Sequence, residues 1–209
     1  MCIRDRGILY LRIMIGILSS LSIFFYLRNE GGKELKGKGF TLIELVTVIV
    51  LIAILAAIVT PQLFKVTAKA RVSKAVAEYN IIKKALIAFY GDLGGFPPDV
   101  LEDTDPGLAY NKGGWANWNG PYIDRWPDQT PWGGSYDYEY WSLSWANKDG
   151  TLGNEVLLSI RGGSSYGGTM TTQDATNVDS ILDDGSLTTG NARGNADLLT
   201  IYVGEGPHI

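Results

Sequence analysis

Apolar residues dominate one long stretch of the chain. Residues 40–60 form a run of 21 positions in which Glu44 is the single charged residue. At 1.5 Å per residue, a helix of this length spans roughly 30 Å, the thickness of the hydrocarbon core of a bilayer. Few soluble domains bury a helix that is apolar on every face. The pattern therefore predicts a transmembrane helix over residues 40–61, with a buried core helix as the alternative.

The next segment changes from a uniform to a periodic pattern. Seven apolar residues recur there at spacings of three and four: Val72, Ala75, Val76, Tyr79, Ile82, Leu86 and Phe89. This spacing is typical of an amphipathic helix with one buried stripe. Pro61 removes a backbone donor, so a helix that continues through it should kink or loosen there. We predict an amphipathic continuation over residues 62–90, ended by the glycines and prolines of residues 91–98.

The remaining residues, 91–209, predict a globular head. Strand patterns begin at Ser135, where tyrosines alternate with acidic residues, and cover residues 155–161 and 197–203. An antiparallel sheet laid against the amphipathic helix would bury the apolar faces of both. The predicted fold class is therefore α+β, with a long N-terminal helix packed on an antiparallel β-sheet.

Composition and charge exclude several functional classes. The 209 residues carry a net charge of −4, which argues against a general nucleic-acid binder. Cys2 is the only cysteine and His208 the only histidine, so an internal disulfide, a multi-thiolate metal site and a histidine-centred catalytic site are not expected.

The charges are also distributed unevenly. Residues 62–90 carry six basic and one acidic residue (+5), whereas residues 91–209 carry five basic and 17 acidic residues (−12). The basic stem and acidic head either serve solubility or attract each other between neighbouring copies.

Residues 38–63, KGFTLIELVTVIVLIAILAAIVTPQL, resemble the N-terminal signature of type IV pilins and type II secretion pseudopilins. In that family a prepilin peptidase cuts after the glycine, here Gly39, and N-methylates the new first residue, here Phe40. Glu44 then becomes the fifth residue, and Pro61 falls where the family commonly has a helix-distorting proline. The resemblance implies that residues 1–39 are a leader. This leader is long for the family, and we assign no function to residues 1–30.

Glu44 is explained by physical chemistry as well as by the resemblance. A carboxylate inside a membrane segment costs about 2.5–3.5 kcal/mol, so it should have a partner. In the first turn of the mature helix it gains from the positive end of the helix dipole. Cleavage at Gly39 creates a cation at the same depth, the α-amino group of Phe40 on a neighbouring copy, and methylation keeps its charge. We predict that this pair joins adjacent copies, with a solvated interfacial carboxylate as the alternative.

The head adds a second resemblance. Residues 120–140 look like the segment of major pseudopilins in which proline, tryptophan and glycine precede the first strand, although Thr130 stands where the family more often has aspartate. The absence of cysteine from residues 40–209 also favours a pseudopilin over an adhesive pilin.

Major pseudopilins often bind calcium in the loop after the sheet begins, so the resemblance implies a structural Ca²⁺. Asn147, Asp149 and Glu155 offer oxygen ligands there, although their spacing is not that of an EF-hand. A simple turn closed by Asp149 is the alternative. Asp183 and Asp184 form a second acidic pair that could hold a hard cation.

These features predict a non-enzymatic subunit of a type II secretion pseudopilus. The expected partners are a prepilin peptidase, other copies of the chain, minor pseudopilins, an inner-membrane assembly platform and membrane lipid. The resemblance places the helix in the inner membrane as a single span, with the head in the periplasm or outside the membrane. Two alternatives remain: a major type IV pilin, and a membrane-tethered carbohydrate-binding or hydrolytic domain, which the acidic residues Asp124 and Asp128 among tryptophans would serve.

Overall fold

The computed structural model describes residues 41–209, so Gly39, Phe40 and the predicted leader lie outside the described residues. The chain divides into two compact units, Met1–Ile54 and Leu55–Ile209. The helices are α1, Leu42–Leu93, and α2, Thr172–Leu182, with a short 3₁₀ helix at Ser164–Tyr166. The strands are β1, Ser135–Tyr140; β2, Glu155–Arg161; β3, Ala192–Gly194; and β4, Leu198–Glu205.

Helix α1 continues through Pro61, as the sequence predicts. It ends at Leu93, three residues beyond the predicted end at residue 90. Gly94 follows with φ of +76°, and its N–H donates to the carbonyl of Tyr90 at 2.8 Å. A glycine in this left-handed conformation is a common way to satisfy the last carbonyls of a helix. The helix therefore stops where a residue without a Cβ allows the chain to turn.

The second half of α1 provides one wall of the head's core. Its buried residues are Val72, Ala75, Tyr79, Ile82, Ala85, Leu86 and Phe89. Six of them belong to the predicted stripe; the seventh predicted residue, Val76, is partly buried against the core. The ring of Phe89 packs edge-on against Trp115 and Tyr122, with centroid distances of 5.1 and 5.7 Å. The helical periodicity is thus confirmed as a packing surface.

The four strands form one antiparallel sheet in the order β1-β2-β4-β3. Strand β2 lies between β1 and β4, and six of its seven residues are buried. Tyr136 and Tyr138 on β1 are fully buried, and the hydroxyl of Tyr136 donates to the Glu78 carboxylate of α1 at 2.7 Å. The predicted α+β fold, with the long helix and an antiparallel sheet, is confirmed. The strand predicted over residues 197–203 is β4, Leu198–Glu205.

Two elements were not predicted from the sequence, helix α2 and strand β3. Helix α2 begins with a capping box, in which the Thr171 hydroxyl accepts a hydrogen bond from Asp174 N and the Asp174 carboxylate accepts one from Thr171 N. A threonine followed three residues later by an acidic residue is a recognisable start signal for a helix. The three residues of β3 pair only with β4, and so short a strand leaves no alternating pattern to detect.

The connection from α1 to β1 is held by side chains instead of regular elements. The buried carboxylate of Asp105 accepts hydrogen bonds from the backbone N–H groups of residues 107–110. Thr130, at the position where the family more often has aspartate, donates its hydroxyl to the carbonyl of Gly133. Gly134 has φ of +79°, and a Cβ there would lie 2.1 Å from the carbonyl oxygen of Arg161. Only glycine fits this entry into the sheet.

Candidate functional site

The first turn of α1 is organised by Thr41 and Glu44. The Glu44 Oε2 atom accepts hydrogen bonds from the Thr41 N–H at 2.8 Å and from the Thr41 hydroxyl at 2.7 Å. In return the Thr41 hydroxyl accepts from Glu44 N at 3.4 Å. This reciprocal capping box satisfies donors that the helix itself cannot. The T-x-x-E spacing is the sequence signal for this role of Thr41.

One oxygen of the Glu44 carboxylate has no hydrogen-bond partner among residues 41–209. Among residues 41–209, hydrogen bonds to Glu44 reach Oε2 alone, and no salt bridge includes this residue. Oε1 is therefore available to a second donor.

The first half of α1 presents an apolar surface on all sides. Fifteen large apolar residues between Leu42 and Val66 are exposed, among them Leu51, Ile54 and Leu55. An 18-residue window of this helix has a mean hydropathy of 3.1, and none of that window is buried. By length and composition, α1 is long and apolar enough to cross a membrane. Contiguous exposed apolar surface on this scale marks a contact with lipid or protein.

Most of the basic residues of the stem are exposed. Five of the six are exposed: Lys65, Lys69, Arg71, Lys74 and Lys84. Lys83 is half-buried, with its ammonium 5.8 Å from the centre of the Tyr79 ring. Glu78 is the one acid of this stretch, and it pairs with Lys74 at 3.6 Å. The positive charge of the stem is thus left on an open surface.

An ion cluster joins β1, β2 and the loop before β1. Arg161 pairs with Glu102, Asp137 and Glu139. Asp137 is buried, contrary to the alternation along β1, because it is paired with this arginine. Burial raises the pKa of Asp137 to about 7 against the lowering effect of Arg161, and Glu139 adds to the rise. One cation shared by three carboxylates leaves the cluster negative.

The first predicted calcium loop is closed by turn hydrogen bonds. Asn147 Oδ1 accepts from Gly150 N at 2.7 Å, and Asp149 accepts from Thr151 N at 2.6 Å and from the Asn154 side chain at 2.8 Å. Glu155 is fully buried; its Oε2 accepts from Gly153 N at 2.8 Å, and its Oε1 has no hydrogen-bond partner among the described residues. A calcium ion at these three residues stays a prediction.

The second predicted pair, Asp183 and Asp184, is joined by a third acid. Asp179, one helical turn earlier on α2, brings a carboxylate oxygen to within 4.8 Å of one from each of the other two. Asp179 is fully buried, Asp183 half-buried and Asp184 exposed. Burial, followed by the charges of Asp184 and Asp183, raises the pKa of Asp179 to about 6. The adjacency of Asp183 and Asp184 was visible in the sequence, but recognising Asp179 required knowledge of α2.

Asp124 and Asp128, the acids considered for a hydrolytic site, are both exposed and line the same open cavity. Asp128 forms an exposed ion pair with Arg125 at 3.6 Å, and Asp124 is exposed. Of the neighbouring tryptophans, Trp126 and Trp132 are buried in the core. The two tryptophans therefore contribute to the packing of the core.

Two family models match the chain. Residues 36–60 match the prokaryotic N-terminal methylation motif, which includes Gly39, Phe40 and Glu44. Residues 67–151 match the model of the PilW C-terminal region. The type II secretion system core protein G of Escherichia coli K12 is 35% identical over 135 residues, which cover 57% of this chain and 88% of that protein. The chain belongs to the type II secretion system core protein G family.

Other relatives agree with this assignment. Core protein G of Vibrio cholerae is 34% identical over 114 residues, covering 51% of this chain and 73% of that protein. The major type IV pilin PilE of Neisseria gonorrhoeae is 42% identical over 72 residues, covering 34% of this chain and 41% of that protein. The resemblance to pilins and pseudopilins is confirmed, and the similarity to core protein G extends over more of the chain. The apolar helix and these relatives indicate a membrane-anchored protein, and residues 41–209 contain one candidate span.

Proposed function

We propose that this member of the core protein G family is a structural subunit of a type II secretion pseudopilus. It is cleaved between Gly39 and Phe40 by a prepilin peptidase, methylated on Phe40, and assembled through α1 with other copies and minor pseudopilins at an inner-membrane platform. The observation that carries the proposal is the first half of α1, an exposed apolar helix that bears one carboxylate, within a chain that matches 88% of a core protein G.

The apolar surface of α1 supports two successive environments for the helix, first lipid and then the filament. Fifteen exposed large apolar side chains cannot face water without a large free-energy cost. Lipid covers them before assembly, while the head lies in the periplasm or outside the membrane. Neighbouring copies of the same helix cover them afterwards. Because both environments are apolar, transfer of the helix from lipid to the filament costs little free energy. Small polar interactions then decide how adjacent helices align along their axes, that is, their register.

Glu44 is the polar group suited to set that register. Its Oε2 atom is engaged by Thr41 of the same chain, which fixes the carboxylate, and Oε1 remains available. The α-amino group of Phe40 on a neighbouring copy is the cation that cleavage supplies at this depth. An ion pair in an apolar medium is stronger than in water, so a single pair can define how adjacent helices align.

Mass spectrometry of the protein from native membranes tests the processing step. We expect the first peptide to begin at Phe40 and to carry the mass of one added methyl group. A chain that keeps Gly39, or begins elsewhere in the helix, would contradict the proposal.

Substitution of Glu44 tests the pairing. Glu44→Leu should remain in the membrane, because it removes an insertion penalty of about 2.5–3.5 kcal/mol, but it should form few or no filaments. Filaments are counted by electron microscopy after overproduction. Thr47→Val is the matched control, since the Thr47 hydroxyl bonds only the carbonyl of Ile43 in its own helix among the described residues. Normal filaments from Glu44→Leu would refute the pairing.

Similarity to PilE supports a second candidate, a major type IV pilin for adhesion, motility or DNA uptake. That similarity covers 41% of PilE, against 88% of core protein G of E. coli. Deletion of the gene distinguishes the two roles: we expect a loss of protein secretion, whereas a loss of surface motility with normal secretion would establish the pilin.

A further inference from the structure

An open cavity of about 340 Å³ lies beside the ion cluster of Arg161. Four acids and one base provide its charged lining: Asp99, Glu102, Asp137, Glu139 and Arg161. Among the described residues, Arg161 is the one cation that forms salt bridges with these acids. This acidic cavity therefore keeps an excess of negative charge, which a positively charged ligand would reduce.

Asp137 gives a second and independent indication of a ligand. Its side chain lines the acidic cavity and is only 5% exposed. The Oδ2 atom pairs with Arg161, whereas Oδ1 is buried and has no hydrogen-bond partner among the described residues. Buried carboxylate oxygens are nearly always hydrogen-bonded, because an unpaired one carries a large desolvation cost. A donor that enters the cavity beside Asp137 would satisfy this oxygen.

Two large apolar side chains are exposed at the same cavity. Leu101 is 83% exposed and Trp141 53% exposed, and both belong to its lining. The indole N–H of Trp141 donates to Glu139 Oε2 at 3.1 Å, which holds the ring beside that carboxylate. An aromatic ring next to carboxylates suits a guanidinium. The exposed apolar surface suits the residues on either side of that guanidinium in a polypeptide.

The acidic cavity lies on the side of the sheet that faces away from α1. Successive residues of a strand point to opposite faces of a sheet. Tyr136 points to α1, where its hydroxyl donates to Glu78, so Asp137 and Glu139 point to the other face. Packing of neighbouring copies through α1 thus leaves the cavity accessible, a step that rests on the proposed function.

We propose that the acidic cavity binds an arginine side chain of a partner protein outside the filament. A guanidinium presents five donors in a planar fork, so it can reach Asp137 Oδ1 and a second carboxylate together. It is also less strongly hydrated than the ammonium of lysine and stacks on aromatic rings such as that of Trp141. Arginine and tryptophan are both enriched at the centres of protein interfaces.

Binding of the arginine should depend on pH. Burial raises the pKa of Asp137 to about 7 against the lowering effect of Arg161 on β2, while Glu139 on β1 and Asp99 on the loop before β1 add to the rise. A guanidinium beside Asp137 favours its ionised form, so binding releases the proton. The affinity should therefore rise by up to about tenfold between pH 6 and pH 8.

Peptide binding to the full chain in detergent tests the proposal. The probe is a fluorescently labelled five-residue peptide with a central arginine flanked by leucines, and its binding is followed by anisotropy. A peptide with uncharged citrulline in place of arginine should bind at least about tenfold more weakly, because it lacks the charge. Absence of binding, equal binding of the citrulline peptide, or an affinity that falls as pH rises would overturn the proposal. Free arginine amide that binds as tightly as the peptide would overturn the assignment to a protein partner.

Variants at exposed positions locate the peptide. Asp99→Asn and Trp141→Ala should each weaken binding by about two- to fivefold, through loss of a charge and of an aromatic ring. Asp124→Asn is the matched control, since it removes an exposed carboxylate at a different cavity and should bind as wild type does. Equal melting temperatures show that the variants are folded. Unchanged binding in both cavity variants, or an equal loss in the control, would overturn the site.

Filament counts separate this proposal from the proposed function. Asp99→Asn and Trp141→Ala should form filaments as wild type does, because the cavity lies on the face of the sheet away from α1. Loss of filaments in both variants would make the cavity a contact between copies and overturn the external partner. A wild-type chain without filaments would contradict the proposed function, while the peptide assay in detergent would still decide the binding of arginine.

Discussion

The two halves of α1 belong to one helix, yet their large apolar residues have different surroundings. Around Ile54 the apolar side chains surround the helix and are exposed, with no described residue covering them. Around Phe89 they form one stripe that is buried against the head, while Ile87 on the other face stays exposed. The arrangement of apolar residues around the helix therefore separates a surface for lipid and neighbouring helices from a surface for folding.

Phe89→Ala should cause the largest change that the comparison predicts. Phe89 is fully buried between Trp115 and Tyr122, so its truncation leaves a cavity in the core and should cost about 3–5 kcal/mol of folding stability. Unfolding is followed by the fluorescence of the six tryptophans, which all lie in the head. Ile87→Ala is the control and should change stability by no more than about 0.5 kcal/mol. Equal effects of the two would show that the stripe is not the packing surface.

A pair of lysine substitutions compares the exposed positions of the two halves. Ile54 and Ile87 are 53% and 54% exposed. Ile54→Lys should impose an insertion cost of about 2.5–3.5 kcal/mol and reduce the membrane-bound fraction, because its environment is lipid. Ile87→Lys should leave membrane binding unchanged. Membrane fractionation measures the membrane-bound fraction of each variant. Equal fractions for the two variants would contradict the assignment of Ile54 to lipid and Ile87 to water.

Tyr136→Phe tests the hydrogen bond between the second half of α1 and strand β1. The substitution removes the hydrogen bond from the Tyr136 hydroxyl to the Glu78 carboxylate and should cost about 1.5–3 kcal/mol, the range for bonds to charged groups. Tyr110→Phe is the control, because Tyr110 is 66% exposed. Denaturant unfolding measures both, and we expect the control to match wild type.

The last prediction concerns pH and is confined to the head. Since the folded-state pKa of Asp137 is raised to about 7, the folded state binds a proton that the unfolded state releases near pH 4. Its contribution to stability is complete below about pH 4 and is lost as pH rises through about 7. Asp137→Asn should weaken this decline. An unchanged pH profile in the variant would assign the dependence to other groups.

The sequence was sufficient to predict those elements whose hydrophobic pattern matches the side that is buried in the structure. Strands β1 and β2 start where their patterns start, and the stripe on α1 is the buried stripe, because period 2 and period 3.6 report directly on one-sided burial. Thr41 and helix α2 both have capping-box signals, but so short a motif recurs often along a chain and does not by itself predict a helix. Strand β3 was not predictable, because its conformation is imposed by pairing with β4.

By itself, the sequence determined the membrane-like helix, its single carboxylate, the processing motif and the α+β class. Each of these depends on residues that are neighbours along the chain or repeat at a fixed spacing. The tertiary structure alone decided that Asp137 is buried beside Arg161 and that Asp179 meets Asp183 and Asp184. The packing of the head decides which charged residues come together and how far each charge is removed from water. No local sequence pattern encodes either property.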